Sequence, residues 1–200
     1  MTAEEIFSVL EEKFGAKRET LDKWGVTAVV SANYLHNAVQ FLKESAAAKF
    51  EMLVDIAGID YLTYPNHEGP RFAVSYSFKS MSKPGLRIRL KVLVGEAELK
   101  VPTISDLYSN ANWYEREVFD QFGIKFEGHP DLRRLLNHVE FVGHPLRKDY
   151  PAQKRQWLST NDYLLPELEK RLENLGYRIV KRSKEVGTND NEYLEGSIKE

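Results

Sequence analysis

The 200-residue sequence contains no cysteine, which excludes a disulfide and any zinc or iron–sulfur site held by thiolates. No apolar run approaches the roughly eighteen residues a membrane-spanning helix needs, so a soluble chain is expected, meeting a membrane only through partners. The opening MTAEEIFSVLEEKFG lacks the basic leader and apolar centre of a signal peptide, which favours a bacterial source. No glycine-rich loop follows a strand to cradle a dinucleotide or nucleoside triphosphate, and no serine stands in a nucleophile elbow. An excess of one charge is missing too. Lys and Arg total 28 against 30 Asp and Glu, a net charge of −2, which argues against a general nucleic-acid binder.

What is present suits one core: 42% of residues are hydrophobic and 12% aromatic. Thr2 and Glu5 have capping-box spacing, and Ile6, Phe7, Leu10 and Phe14 form an apolar stripe, predicting a helix over 3–14. Residues 26–31 read as a short strand. A second helix, starting at Ser31 or Asn33, carries Leu35, Val39, Leu42 and Ala46 to about Ala48. Residues 52–61 read as a strand interrupted at Gly58 by a bulge or bend. Phe72, Val74, Tyr76 and Phe78 alternate with small residues; Leu86, Ile88, Leu90, Val92 and Val94 alternate mainly with basic ones. The Lys-Pro-Gly turn between these strands makes them antiparallel neighbours. A third helix is predicted over 104–122, capped by Thr103 or Ser105, and a further one within 160–180 from Leu164, Leu168, Leu172 and Leu175. The order predicts an α+β fold: a two-layer domain with a mainly antiparallel sheet and helices on one face, then an extended C-terminal arm. The expected division is a domain over 1–123, a motif-bearing arm over 124–157 packed on domain or partner, and a tail over 158–200. That tail holds one helix and is ordered by partners.

Ionisable groups crowd one stretch: Glu115, Arg116, Glu117, Asp120, His129, Asp131, Arg133 and Arg134. Glu115 and Glu117 invite an acid/base reading. Two residues apart on a helix, however, they point about 200° apart and cannot share a substrate. Arg116 and Asp120, at i and i+4, are placed for an ion pair. His129, Asp131, His138 and His144 are candidate metal ligands by type, yet their irregular spacing and the two His-Pro pairs favour turn or interface packing. Residues 125–155 carry seven Lys/Arg against four acids, a basic region on an acidic body. Arg133, Arg134, Arg147 and Lys148 fit a protein interface of arginine–carboxylate pairs. A phosphate or RNA site with stacking by Phe122, Phe126, Phe141 and Tyr150, or a solvated basic loop, are the rivals. A basic arm without its own core is best explained by a partner that covers it.

Glu115-Arg116-Glu117, Asp120, Phe122-Gly123, Gly128-His129-Pro130 and Arg133-Arg134 are followed by Gly143-His144-Pro145-Leu146-Arg147-Lys148-Asp149-Tyr150-Pro151. In this order and separation they resemble the signature of the 30-kDa (C) subunit family of respiratory complex I, NADH:quinone oxidoreductase. The likeness is clearest over roughly residues 50–151 and departs at Asn137-His138-Val139-Glu140, where the family usually has an acidic residue, an aromatic and a glycine. The resemblance implies a peripheral-arm subunit that scaffolds the quinone-reducing module of a proton-translocating complex and has no active site or cofactor of its own. FMN, iron–sulfur clusters and quinone are expected elsewhere in the complex. The implied partner is the neighbouring quinone-site subunit, at the cytoplasmic side of a bacterial inner membrane, with no nucleic acid bound. Glu115, Arg116, Glu117, Asp120, His129, Asp131, Arg133, Arg134, His144, Arg147, Lys148 and Asp149 become motif and interface residues. Of these, Glu115–Arg134 is expected to fix the arm to the domain, and 147–150 with the tail to clasp the neighbour. The equivalent subunit of a membrane-bound hydrogenase or dehydrogenase complex is the alternative, and a nucleic-acid-binding module a further one.

Overall fold

A computed structural model describes residues 2–19, 25–46, 49–154, 156, 159 and 161–177. They fall into two compact units, one of residues 1–137 with 144–149, the other of 138–143 with residues from 150 onward.

The first unit opens with α1 (Ala3–Phe14). The Thr2 hydroxyl accepts the Glu5 N–H and the Glu5 carboxylate accepts the Thr2 N–H, while Gly15 ends the helix at φ 62°. Strands β1 (Lys17–Arg18) and β2 (Val26–Val29) lead to α2 (Ala32–Glu44), which stops four residues short of the expected end; Ala47 and Ala48 lie outside the described residues. β3 (Met52–Asp60), β4 (Phe72–Lys79) and β5 (Arg87–Val94) then complete a five-stranded sheet in the order β1-β2-β5-β4-β3. The sheet is mixed. β3–β4–β5 is an antiparallel meander as the alternation predicts, whereas β2 lies parallel to β5. Parallel neighbours need a long crossover, and α2, β3 and β4 supply it.

The period-2 pattern sorts the two faces. Leu53, Ile56, Phe72, Val74, Tyr76, Phe78, Ile88, Leu90, Val92 and Val94 join one buried cluster with Ile6 and Leu10 of α1, Leu35, Val39 and Leu42 of α2, and Val118 and Phe122 of the third helix. All three helices therefore cover the same face of the sheet. The opposite face carries Ser75, Ser77, Arg89 and Lys91. Lys91 is held there by Glu19 and by the Tyr61 hydroxyl at 3.0 Å.

Three local expectations change. The third helix, α3 (Ala111–Phe122), starts seven residues later than predicted, because residues 104–111 close successive turns instead, Tyr108 N–H to Ile104 O and Ala111 N–H to Tyr108 O. Thr103 and Ser105 do not cap it. Its flanks form a pair that periodicity did not reveal, β6 (Lys100–Pro102) parallel to β7 (Lys125–Glu127), each too short to show alternation. The β3 irregularity lies at Leu53/Asp55 and not at Gly58, which keeps register opposite Val74. Gly58 has another role: a Cβ there would stand 2.4 Å from the Phe122 ring, so the missing side chain lets α3 lie against β3.

The second unit is described by itself. The Gln156 side chain bridges the backbone N–H and C=O of Val142 and reaches the Tyr150 hydroxyl, and the Phe141 and Tyr150 rings are 5.8 Å apart. α4 (Asn161–Asn174) occupies the predicted helical stretch and exposes Leu164 and Leu168. The last twenty residues lie outside the described residues.

Replacing Gly58 by alanine is expected to destabilise the chain by about 1–3 kcal/mol through overpacking against Phe122, read as a lower denaturant midpoint at unchanged slope.

Candidate functional site

α3 gathers the motif residues because one side of it is buried among polar groups. Glu115 and Asp120 are fully buried, Arg116 nearly so, and Glu117 faces outward, as the 200° separation requires. The helix ends at Gly123, at φ 76°, whose N–H bonds Phe119 O. The carbonyls beyond Phe119 have no intrahelical donor. The second motif supplies one donor to each. His144 Nδ1–H donates to Asp120 O at 3.0 Å, Leu146 N–H to Gln121 O at 3.2 Å and Arg147 Nε–H to Phe122 O at 2.6 Å. Gly123 is required twice here, by its left-handed φ and because a Cβ would stand 2.5 Å from both His144 and Arg147. Burial, with Arg147 and Arg134 nearby, keeps the His144 ring below the ordinary histidine value.

The Asp120 carboxylate organises the first motif. Its Oδ2 accepts the N–H groups of Leu135, Leu136 and Asn137 at 2.8–3.1 Å, and its Oδ1 accepts Arg134 Nη1 at 2.7 Å and Asn137 Nδ2 at 3.0 Å. Burial pushes this carboxyl up, but the Asn137 N–H and amide, Arg134 and the Leu136 N–H outweigh it and hold it down at about 2. The expected Arg116–Asp120 pair does not form. Arg116 instead donates to the carbonyls of Arg133 and Arg134, both at 3.2 Å, and stacks over Trp113. A guanidinium fork matches two successive carbonyls, and Asp120 already has its donors.

A second buried carboxylate, Asp60 at the end of β3, was missed in the sequence. It accepts two nitrogens of Arg71 and the Leu62 N–H, each at 3.0 Å, and the Lys148 N–H at 2.8 Å. Burial raises this carboxyl, yet Arg71, Lys148 N–H and Leu62 N–H bring it down to about 2. Arg71 also pairs with Asp149 at 2.8 Å, and the Arg71 and Arg147 guanidiniums both lie over the Phe72 ring. The available signal was that Asp60 shares the core-facing parity of Ile56 and Gly58, where a carboxylate demands a partner.

Glu115 meets the remaining motif turn. Its Oε1 accepts the Ile104 N–H at 2.8 Å and its Oε2 the Thr103 hydroxyl at 2.5 Å. Burial pushes this carboxyl up to about 7 against those two donors, with Asp106 adding to the rise. The His129 ring is fully buried, donating Nε2–H to Asn112 O and accepting the Asp131 N–H on Nδ1.

The structure thus joins Glu115, His129 and Asp131, then Arg116, Asp120, Arg133, Arg134, His144 and Arg147, and finally Lys148 N–H and Asp149 with Asp60. The side chains of Glu117 and Lys148 are exposed, as is Arg133, which pairs with Asp131 at 2.9 Å. Arg147, expected to clasp a neighbour, donates its Nε–H to the last carbonyl of α3. Among the described residues no group of three or more His, Asp or Glu is arranged to hold a metal ion.

Known proteins share this α+β architecture. The family model described as the respiratory-chain NADH dehydrogenase, 30 Kd subunit, matches residues 28–156. The NADH-quinone oxidoreductase C subunit of Burkholderia vietnamiensis (strain G4 / LMG 22486) is 43% identical over 148 residues, 72% of this chain and 74% of that protein. The corresponding protein of Burkholderia mallei (strain SAVP1) is 44% identical over 149 residues, with the same shares covered. A structure of the trypsin-resistant fragment (1-134) of Nqo5 matches with a TM-score of 0.59 at 38% identity, covering 66% of this chain and all of the fragment. A chain of the membrane-bound sulfane sulfur reductase, an archaeal respiratory membrane complex, shares the fold at 23% identity and a TM-score of 0.59, covering 91% of this chain and 96% of its own. The chain belongs to the 30-kDa subunit family of the respiratory-chain NADH dehydrogenase.

Asp120→Ala removes a fully buried acceptor of five donors and should cost about 3 kcal/mol or more in chemical denaturation. Because Asp60 and Asp120 titrate below their unfolded values, the stability they contribute is present above about pH 4 and lost as pH falls toward 2. An acid unfolding series should show that loss, with its slope reduced in Asp120→Asn.

Proposed function

We propose that this subunit of the respiratory NADH:quinone oxidoreductase is architectural, with no active site and no cofactor of its own. FMN, the iron–sulfur clusters and quinone then belong to other subunits of the complex. One observation carries the reading. The motif side chains bind helix ends, backbone N–H groups and one another, and do not converge on a space where a substrate atom can sit. Their result is a fixed path for residues 128–137 and 144–149 over α3. That path leaves Trp113, Arg133 and Leu136 outward on a rigid base, the residue types that anchor protein interfaces. The partner in this reading is the neighbouring quinone-site subunit, at the cytoplasmic side of the membrane. Among the described residues no helix is long and apolar enough to cross it, so attachment is through the complex.

The sister reading, a subunit of another membrane-bound respiratory complex, draws on a likeness at 23% identity that carries the fold alone. Identity of 43% to a subunit of NADH-quinone oxidoreductase favours the first.

The test is gentle-detergent isolation of the tagged chain from its native membranes, wild type and Asp120→Asn, with mass spectrometry of the subunits and an optical spectrum. Flavin, iron–sulfur subunits and NADH:quinone activity should co-purify. The variant should lower the amount of assembled complex while leaving turnover per assembled complex within about twofold of wild type. Full assembly with lost turnover overturns the architectural role.

A further inference from the structure

Glu115 differs from the other two buried carboxylates. Among the described residues no lysine or arginine pairs with it, and the nearest cation-forming group is the His129 ring, 3.9 Å away. That ring is already committed. Nε2–H donates to Asn112 O while Nδ1 accepts the Asp131 N–H, a set that only the neutral ring satisfies. An imidazolium would turn Nδ1–H against the Asp131 N–H. A proton entering this cluster therefore goes to Glu115.

The route is visible. Glu115 Oε2 lies 2.5 Å from Thr103 Oγ1, which lies 2.9 Å from Ser105 Oγ. Thr103 and Ser105 also line an open groove of about 530 Å³ together with His36, Asp106, Glu127 and Gly128. A hydroxyl has one proton and two lone pairs, so Thr103 can donate toward Glu115 or toward Ser105 but not both. The Ile104 N–H holds the other carboxylate oxygen in either case.

We propose that Glu115, Thr103 and Ser105 form a two-state hydrogen-bond relay through which a carboxyl sealed in the core exchanges a proton with the solvent groove. With Glu115 ionised, Ser105 donates to Thr103 and Thr103 to Glu115. A proton taken from solvent at Ser105 Oγ passes the Ser105 proton to Thr103 and the Thr103 proton to Oε2. Every donor then points outward, Glu115 to Thr103 and Thr103 to Ser105, and one O–H bond has formed at Glu115 for each proton removed from the groove. The charged and titratable groups facing the carboxyl are Tyr76 of β4, Asp106 of the loop after β6 and His129 of the turn after β7. None of them supplies a fixed positive charge, which favours the protonated state. The rise of the Glu115 carboxyl to about 7 agrees, and places the change near neutrality. A raised carboxyl lets the folded chain keep a proton that the unfolded chain has lost. Stability is therefore fully present below about pH 4.5 and falls as pH rises toward 7. This goes beyond the architectural role. It makes the seating of the β6–α3 loop and of the 128–131 turn responsive to pH.

The test is infrared difference spectroscopy of the full-length chain across a pH titration, in H₂O and D₂O. Wild type should show the C=O stretch of a protonated carboxylic acid disappearing near neutral pH, and Glu115→Gln should abolish that band. Thr103→Val deletes the donor to the carboxylate, and should raise the midpoint by roughly one pH unit, shift the band as the acid loses its acceptor, and slow its deuterium exchange. Thr103→Ser keeps the hydroxyl and should restore all three. If wild type has no carboxyl titrating near neutrality, or the band survives in Glu115→Gln, the proposal fails whatever the valine variant does. It fails equally if Thr103→Val folds and leaves midpoint, band position and exchange unchanged.

Discussion

The rest of the structure depends on the burial of the α3 C-terminus, which takes the last carbonyls of that helix out of water. A buried carbonyl left without a donor costs about 1–3 kcal/mol, a sizeable part of a domain's net stability. Asp120, Gln121 and Phe122 each present one, and His144, Leu146 and Arg147 each answer one. The two motifs of the sequence are thus halves of a single device. The second is the cap of a helix that the first provides, and Gly123 is the point at which the two backbones come close enough to meet.

The buried carboxylates extend the same logic. Asp120 collects three backbone N–H groups of the arm and one nitrogen of Arg134. Asp60 collects the Lys148 N–H of the arm, the Leu62 N–H and the Arg71 fork, and both titrate near 2. An arm with little regular structure is held in this way at two points, by charge-assisted bonds that water cannot replace. Glu115 collects one N–H and one hydroxyl but no cation, and titrates near 7. Glu115 stands about five pH units above Asp60 and Asp120 because burial outweighs its two donors, whereas at the other two carboxyls four and five donors, an arginine among them, outweigh burial.

Much of this was legible in the sequence. The alternation in β4 and β5, the capping box at Thr2, and the opposed directions of Glu115 and Glu117 follow from periods of 2 and 3.6 residues, and the structure has them all. The late start of α3 was hidden, because residues 104–111 close successive turns instead of joining the helix, in a stretch that reads as helical from its residues alone. The Arg116–Asp120 expectation rested on spacing along one helix. It lost to Asn137 and Arg134, whose approach depends on the chain reversing at Gly128 and Pro130. Asp60 and Arg71 stand on either side of a ten-residue loop, and only the β3–β4 register brings them together. Local periods fix which face a residue takes; they do not say which distant donor will reach it.

The density of ionisable residues along 115–134 has an internal cause, and that bears on how a partner is recognised. Of the five donors to Asp120, three are main-chain N–H groups, which any residue but proline supplies. The side chains of Leu135 and Leu136 are therefore not constrained by the carboxylate they help to satisfy. Leu136 is 65% exposed, and Trp113 is 61% exposed above the Arg116 guanidinium. The internal bonds thus fix the backbone while leaving the outward side chains open to change. A scaffold of this kind keeps its path when the face it presents is altered, and complementarity to a neighbour can be tuned on it residue by residue.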